Sequence, residues 1–273
     1  MKPVIFIVLV VTHSLSAQQG DYSLGARSGS MGRTGTALPD SFSAFNNIGS
    51  AAIPGNSTIA FSIRNLYSME GLYAMGAAWN QKIRRASLVF SIYRFGNRLF
   101  SEHKIGIGYS HRIRFISLGI QVDYFQQSVG NLGTSGTVML EAGGVVTLFK
   151  ELTFGAFILN PAHATVGVRE KHPLPVMLKA GVVFTPDDLT TLSLDVHRLY
   201  TGDRSSLNRV SLGLEYVLRE IVPLRAGMIF NPPVITAGSG VRMNRLNLDL
   251  CMELNPNLGI SSQLSVIYKF LKR

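Results

Sequence analysis

Most of the chain after Asn56 consists of short runs in which apolar side chains alternate with polar or small ones. The clearest run covers residues 246–254, where every second residue is Leu or Met and the residues between are Asn, Asp, Cys and Glu. Side chains at period two point to opposite faces of a β-strand, so each run predicts a strand with one apolar and one polar face. The pattern recurs at residues 116–124, 192–197 and 210–218. The chain therefore favours an all-β fold.

The low charge content favours a membrane barrel over a soluble sandwich of two sheets. Only 15% of the residues are charged and 46% are hydrophobic, whereas soluble domains carry about 25% charged residues. After residue 11 no apolar run approaches the roughly 20 residues that a transmembrane helix needs. Glycine and charged residues share the polar face, which suits a crowded interior beneath an apolar outer surface. We therefore predict a transmembrane antiparallel β-barrel of about fourteen strands.

The predicted connections alternate between tight turns and longer loops. The tight ones cover residues 81–85, 112–114, 150–151, 186–188, 219–221 and 242–245. The longer ones cover residues 66–70, 95–102, 127–136, 161–172 and 199–207. Bacterial outer-membrane barrels have short turns on the periplasmic side. This layout predicts an integral protein of the bacterial outer membrane with its N-terminus in the periplasm.

The tight turns are also rich in Lys and Arg, and the formal net charge of the chain is +10. Cations at this rim can contact the phospholipid head groups of the inner leaflet, which is the favoured interpretation. A docking face for an acidic periplasmic protein is the alternative. An exported protein has no nucleic acid to bind, so nucleic acid is not an expected partner.

The N-terminal residues 1–17 resemble a secretory signal. Lys2 supplies the charge, residues 4–11 form the apolar core, and residues 14–17 offer a cleavage site. We divide the chain into a signal peptide (1–17), an N-terminal plug or hatch (18–56) and an outer-membrane β-barrel (57–273). Cys251 is the only cysteine, so no intramolecular disulfide is expected.

Residues 25–52 do not follow the strand pattern. Glycines in this stretch permit tight turns and close backbone approach, and Pro39-Asp40 offers a helix N-cap before residues 41–47, which carry Phe42 and Phe45. We expect a compact plug with one short helix inside the barrel. A glycine-rich surface linker is the alternative. The glycines are Gly25, Gly29, Gly32, Gly35 and Gly49.

Two sets of residues are candidates for the plug–barrel contact. A charge buried in a crowded lumen needs a partner, so Arg27 and Arg33 are expected to pair with inward carboxylates. The carboxylates proposed for these ion pairs are Glu215, Asp249 and Glu253. Water-exposed lumen charges without specific partners are the alternative.

An apolar pocket is the second candidate feature. Phe42, Phe45, Tyr73 and Trp79 are the residues proposed to line it. Simple packing between plug and lumen is the alternative interpretation of these four side chains.

No catalytic residues are predicted. The histidines are scattered, without the His-Glu-x-x-His spacing of a zinc site. Ser110 and His111 are neighbours on a predicted strand and point to opposite faces, so they cannot form a nucleophile–base pair. We therefore expect a protein that is not an enzyme, with no metal site and no cofactor.

The plug sequence resembles the N-terminal region of the PorV/PorQ-like outer-membrane proteins, relatives of FadL. The resemblance lies in Gly25-Ala26-Arg27, Met31-Gly32, residues 36–40 and residues 44–49. It implies a fourteen-stranded barrel with an N-terminal hatch. Some relatives serve the type IX secretion system, binding its translocon or the C-terminal domains of cargo, and the FadL branch passes hydrophobic molecules through the barrel wall.

The functional prediction is an accessory or adaptor component of type IX secretion or a related surface-export process. Its partners would then be the translocon or cargo C-terminal domains, besides outer-membrane lipid. The alternative is a FadL-like passive transporter of hydrophobic small molecules such as long-chain fatty acids. A plugged barrel with a structural role is a third interpretation.

Overall fold

The protein forms one closed antiparallel β-barrel of fourteen strands, as the alternating pattern predicts. A computed structural model describes residues 21–168, 170–201 and 206–271, so the predicted signal peptide lies outside the described residues. The barrel strands are β1 (Ser57–Asn65), β2 (Tyr73–Ile83), β3 (Ala86–Gly96), β4 (Phe100–Ile113), β5 (Ile116–Val129), β6 (Gly133–Phe149), β7 (Leu152–Leu159), β10 (Val176–Phe184), β11 (Thr190–Tyr200), β12 (Ser206–Leu218), β13 (Val222–Phe230), β14 (Val234–Arg242), β15 (Leu246–Asn255) and β16 (Gly259–Phe270). A separate two-stranded hairpin, β8 (Thr165–Val166) with β9 (His172–Pro173), lies in the connection between β7 and β10.

Each barrel strand pairs with its neighbours along the chain, and β1 closes the ring on β16. The turns at 84–85, 114–115, 150–151, 185–189, 219–221 and 243–245 lie at one end, the short-turn rim. The other ends of the strands form the long-loop rim, where the strands are joined through residues 66–72, 97–99, 130–132, 231–233 and 256–258, and where β7 precedes β10 and β11 precedes β12. The described ends of the barrel sequence, at the start of β1 and the end of β16, both lie at the short-turn rim.

Two predicted loops are wrong, because the strands beside them extend further. Residues 127–136 belong mostly to β5 and β6, and residues 95–102 are shortened to a connection at 97–99. In residues 127–136 most ladder positions on both faces carry polar side chains or glycine, and in residues 95–102 Phe95 and Phe100 are mixed with polar neighbours. The alternation that marks a half-buried strand is then absent, although the backbone pairing continues.

The two faces of the strands separate as predicted. In β15, Met252 and Leu254 are exposed on the outer surface, whereas Asp249, Cys251 and Glu253 are buried on the inner side. Aromatic side chains lie on the outer face near the short-turn rim, including Trp79, which stacks on the ring of Phe90 at a centroid distance of 5.6 Å. Within the described residues, no helix has the length and apolar character that crossing a membrane requires.

The described N-terminal residues 21–56, here called the N-terminal segment, lie inside the barrel. They form helix α1 (Ala26–Ser30), the single-turn helix α2 (Ser43–Asn46) and a 3-10 helix (Ile48–Ala52). Asp40 Oδ1 accepts a hydrogen bond from the Phe42 amide at 2.8 Å, just before α2. Nothing in the glycine-rich sequence predicts α1. It is fixed by the barrel, since Ser265 Oγ accepts a hydrogen bond from the Ala26 amide at 2.8 Å.

The strand register can be tested by comparing a single cysteine at position 251 with a single cysteine at position 252, on opposite faces of β15. Cys251 is buried and Met252 is 58% exposed. We expect the folded wild-type protein in detergent to resist N-ethylmaleimide, and the C251S/M252C variant to react within minutes, because a one-residue shift moves the thiol to the outer face. Mass spectrometry of the N-ethylmaleimide adduct measures the labelling rate of each protein. Fast labelling of folded wild type would contradict the register.

Candidate functional site

The contact between the N-terminal segment and the inner wall is the candidate functional site. On the side formed by β12–β15 it is built from ion pairs, and on the side formed by β1–β7 and β10 mainly from apolar side chains. Inward-facing glycines bring the two backbones together around the ring.

The first ion-pair group is centred on Glu215 of β12, which is almost fully buried. Arg27 of α1 donates to both of its oxygens, from Nη2 at 2.7 Å and from Nε at 3.1 Å. Arg225 Nε also donates to this carboxylate at 2.6 Å, and Arg242 Nη2 at 2.9 Å. Arg225 in turn reaches Asp249 at 2.7 Å. Three guanidinium groups therefore share one buried carboxylate.

The second ion-pair group is centred on Arg33. It donates to both oxygens of Glu253, from Nη2 at 2.5 Å and from Nε at 3.1 Å. Its Nη1 reaches Asp21 at 3.0 Å, and Asp21 also accepts from Arg209 at 3.4 Å. Burial alone raises the pKa of Asp21, but Arg33 and the other nearby cations hold that pKa well below its usual value. The carboxylate of Asp21 therefore stays ionised against the wall.

The structure places all five predicted ion-pair residues on this side of the lumen. Arg27 lies on Glu215 and Arg33 lies on Glu253, but Asp249 is reached through Arg225 and not by an arginine of the segment. The sequence did not predict an ion pair for Arg242, because this residue lies at a predicted tight turn and was counted among the cations of the rim. Its side chain instead points back to Glu215.

Asp195 of β11 makes a further contact with the segment that the sequence did not predict. Its Oδ2 accepts hydrogen bonds from the backbone amides of Gly35 and Thr36 at 3.0 Å each and from the Thr36 hydroxyl at 2.6 Å. A carboxylate that accepts backbone N–H groups recognises the path of the chain and not a particular side chain. Residue type alone gives no signal of such a role.

The apolar side is an aromatic and aliphatic cluster between the segment and the wall. Tyr22 contacts Tyr93 edge to face at a centroid distance of 5.5 Å and Phe125 at 5.9 Å. Phe45 contacts Tyr93 at 6.3 Å. Further buried members are Leu24, Phe42, Ile48, Leu66, Met139, Phe157, Leu159, Leu174 and Met177.

The predicted pocket of Phe42, Phe45, Tyr73 and Trp79 does not form. Phe42 and Phe45 are buried in the apolar cluster, but Trp79 is 44% exposed on the outer face of β2. The inward residues of β2 are small, including Ala74 and Ala78, so the register turns Tyr73 and Trp79 away from the lumen. The pattern of this strand was assigned the wrong inner face.

Inward glycines allow the segment to lie directly on the wall. A Cβ atom at Gly227 would fall 2.2 Å from the amide nitrogen of Gly32, and one at Gly155 would fall 2.2 Å from the Thr36 carbonyl oxygen. Neither site has room for a side chain. Glycines on nine strands would meet a backbone or side-chain atom of the segment if they carried a Cβ atom. They are Gly76, Gly108, Gly119, Gly143, Gly155, Gly181, Gly213, Gly227 and Gly238.

A polar cavity of about 410 Å³ lies beneath the first ion-pair group, next to the short-turn rim. Arg27, Arg242, Asp249 and Lys269 contribute to its walls, together with Asp40. Burial raises the pKa of Asp40 to about 6, with Arg27 acting in the opposite direction. The segment is therefore polar where it meets this rim. On the β1–β7 side its contacts are mainly apolar, beside a buried ion pair of the wall in which Lys104 Nζ donates to Glu141 at 2.5 Å and lies 5.3 Å from the Tyr22 ring centroid.

The barrel has the fold of solved outer-membrane channels. It is similar to the CymD monoaromatic hydrocarbon channel, with a TM-score of 0.74 and 12% identity over 93% of this chain and 99% of that chain. It is also similar to the P. putida toluene transporter TodX, with a TM-score of 0.73 and 11% identity over 93% and 100% of the two chains. A Pseudomonas aeruginosa FadL homologue matches with a TM-score of 0.66 and 12% identity over 90% and 98%. No protein-family model and no curated protein matches the chain.

These comparisons define the class of fold as an outer-membrane β-barrel. CymD is a channel and TodX is a transporter, and neither is an enzyme. At 11–12% identity these similarities establish only the fold of this chain. They do not identify the molecules that it transports or binds.

Arg33 and Arg27 should differ in their contributions to stability. Breaking a buried ion pair typically destabilises by about 3–5 kcal/mol, and we expect R33M to fall in this range because Glu253 keeps only Arg64, at 4.0 Å, among the described cations. R27M should lower stability by less, since Glu215 keeps Arg225 and Arg242. Urea unfolding in detergent measures both. R33M/E253Q should recover part of the loss, and equal losses in R27M and R33M would contradict this assignment.

The glycine contact can be tested at Gly227. Overpacking typically destabilises by about 1–3 kcal/mol, and we expect G227V to lie at or above this range because Gly32 and Met31 are backbone neighbours that cannot move aside. The matched control is A226V, since Ala226 is exposed on the outer face. The same unfolding assay applies. A wild-type stability for G227V would show that the segment does not rest on this wall.

Proposed function

We propose that this protein is an integral outer-membrane channel through which small hydrophobic molecules pass passively, and that the N-terminal segment is its plug. The observation that carries the proposal is the apolar cluster between the segment and the wall, in a barrel that shares its fold with hydrocarbon channels. The short-turn rim faces the periplasm in this proposal. Catalysis has no part in it.

The two sides of the segment have different consequences for a hydrophobic molecule. Passing along β12–β15 would separate buried ion pairs, which costs several kcal/mol per charge. On the β1–β7 side the molecule would mainly replace apolar contacts with apolar contacts, because the buried Lys104 there is paired with Glu141 and Asp123 of the wall and not with a carboxylate of the segment. Such contacts are non-directional and scale with the apolar area buried. The route next to Tyr22, Leu24, Phe42 and Phe45 is therefore the favourable one.

Passage requires a shift of the segment, because Phe42 and Phe45 are buried against the wall. Arg27 and Arg33 keep the segment attached to β12 and β15 while the apolar side moves. The plug thus needs to loosen on one side only. A full exit would break every ion pair between the segment and the wall at once.

The adaptor role in type IX secretion stays a prediction that rests on the resemblance of the plug sequence. Most connections at the long-loop rim have only three residues, which leaves little area against the about 800 Å² per partner of a standard interface. The shared fold with hydrocarbon channels favours the transport alternative. Within that alternative, a relationship to the FadL superfamily fits better than one to its secretion-associated members.

A disulfide between the segment and the wall tests the proposal. A Cβ atom at Gly29 would lie 3.2 Å from Cys251 Sγ, close to the spacing of a disulfide, so G29C should cross-link to the native Cys251. Only the flexible side-chain end of Gln263 lies nearer, at 2.8 Å. The matched control is G29S, which adds similar volume without a bond.

The measurement is uptake of radiolabelled toluene and oleate by cells with an outer membrane that lacks other channels for them. Wild type and G29S should raise uptake above cells without the protein. Oxidised G29C should keep this uptake, because its disulfide ties α1 to β15, on the side of the segment that Arg33 and Glu253 already hold. No uptake of either probe by wild type would refute the channel. Loss of uptake by oxidised G29C, restored by reduction, would leave the channel standing and refute a plug that loosens only on the β1–β7 side.

A further inference from the structure

Two neighbouring turns of the short-turn rim carry a cluster of four arginines that the channel does not use. We call Arg84, Arg85, Arg112 and Arg114 the arginine patch. Arg84, Arg85 and Arg114 are exposed, and the Arg112 amide donates to the Arg85 carbonyl at 2.8 Å, which joins the two turns. Residues 82–86 and 111–116 contain no acidic side chain. The patch is therefore a local positive surface without a counter-ion on its own turns.

The backbone at these turns gives no reason for arginine. Arg84 has φ 52° and Arg114 has φ 54°, in the left-handed region. Glycine and asparagine are the residues that tolerate this region best, and both are common in tight hairpin turns. The turn geometry does not require arginine at either position. We therefore attribute a role to the guanidinium groups themselves.

The outer surface next to the patch has the character of a membrane boundary. Ile83, Ile113 and Phe115 are each exposed beside the arginines, and the Trp79–Phe90 stack lies further along β2 and β3. Aromatic belts in membrane proteins lie at the head-group level. Arginines just beyond such a belt lie where lipid phosphates are found.

Charge is distributed unevenly around this rim. A second basic group, Arg242, Arg245 and Lys269, lies at the turn 243–245 and the end of β16, but Arg242 there donates to the buried Glu215. At 150–151 the cation Lys150 is followed by Glu151, and at 219–221 Arg219 is followed by Glu220. The turn at 185–189 carries Asp187 and Asp188. The two turns of the arginine patch therefore differ from turns in which acidic residues accompany the cations. This difference indicates a discrete binding surface and not a uniform belt of cations.

We propose that the arginine patch binds the phosphate of anionic phospholipids in the leaflet next to the short-turn rim. Guanidinium groups present planar pairs of donors that match phosphate oxygens. Basic residues near an anionic membrane surface each strengthen binding by about fivefold. The inference rests on the proposed insertion of the barrel in a bilayer, with the short-turn rim toward the phospholipid leaflet.

Native mass spectrometry of the full chain in mild detergent tests this inference. The probes are phosphatidylglycerol and phosphatidylcholine with identical acyl chains. We expect wild type to retain more phosphatidylglycerol, and R84N/R114N to lose roughly 25-fold of that preference, at about fivefold per arginine. Asparagine suits the left-handed turn, so the variant should fold as well as wild type. The matched control is R219N, since Arg219 has φ 49° but precedes Glu220.

The outcomes separate the alternatives. Equal retention of the two lipids by wild type, an unchanged preference in R84N/R114N, or an equal loss in R219N would overturn the inference. Binding of polyglutamate that depends on the patch, with no lipid preference, would replace it with a docking site for an acidic protein. Failure of the chain to insert into liposomes would refute the proposed location in a membrane. The number of lipid molecules retained in detergent would still show whether the arginine patch binds anionic lipid.

Discussion

Closure of β1 onto β16 is the interaction on which the rest of the structure depends. These two strands pair from Ser57 opposite Phe270 to Asn65 opposite Ser262, although they lie at opposite ends of the barrel sequence. In hydrocarbon an open sheet edge would leave backbone groups unpaired, at several kcal/mol each. Closure removes the edge and creates an interior. The inner faces of all fourteen strands, several of them charged or rich in glycine, must then share that enclosed space.

The N-terminal segment resolves much of the problem of a charged interior. Arg27 and Arg33 meet Glu215 and Glu253, so these two carboxylates, which closure buries, each have a cation from the segment within hydrogen-bond distance. Glycines on nine strands let the segment approach the wall, so that the lumen is filled by backbone as well as by side chains. On the β1–β7 side the contacts of the segment are mainly apolar, although the wall there also buries Lys104 paired with Glu141 and Asp123. This difference between the two sides underlies the proposed route for hydrophobic molecules.

The outer surface obeys a different constraint from the interior. Leu, Ile, Val and aromatic side chains cover it, because lipid is a uniform apolar solvent that selects for side-chain type and not for specific partners. Specific chemistry is therefore confined to the lumen and the two rims. Arg242 illustrates the boundary between these regions, since it ends β14 beside a turn and still donates to the buried Glu215.

The sequence by itself determined the barrel, its approximate strand number and the faces of most strands, because period two is a local property of consecutive residues. It also identified Arg27 and Arg33 as residues in need of partners, since a buried charge demands one wherever it lies. It misassigned Tyr73 and Trp79, because β2 has small or apolar residues on both faces and its alternation is ambiguous. Only the tertiary structure decided that Glu215 gathers three guanidinium groups, that Asp195 holds the backbone at Thr36, and that Gly227 receives Gly32. These contacts join residues far apart in the chain, and their positions follow from the register of closure, which no local pattern records.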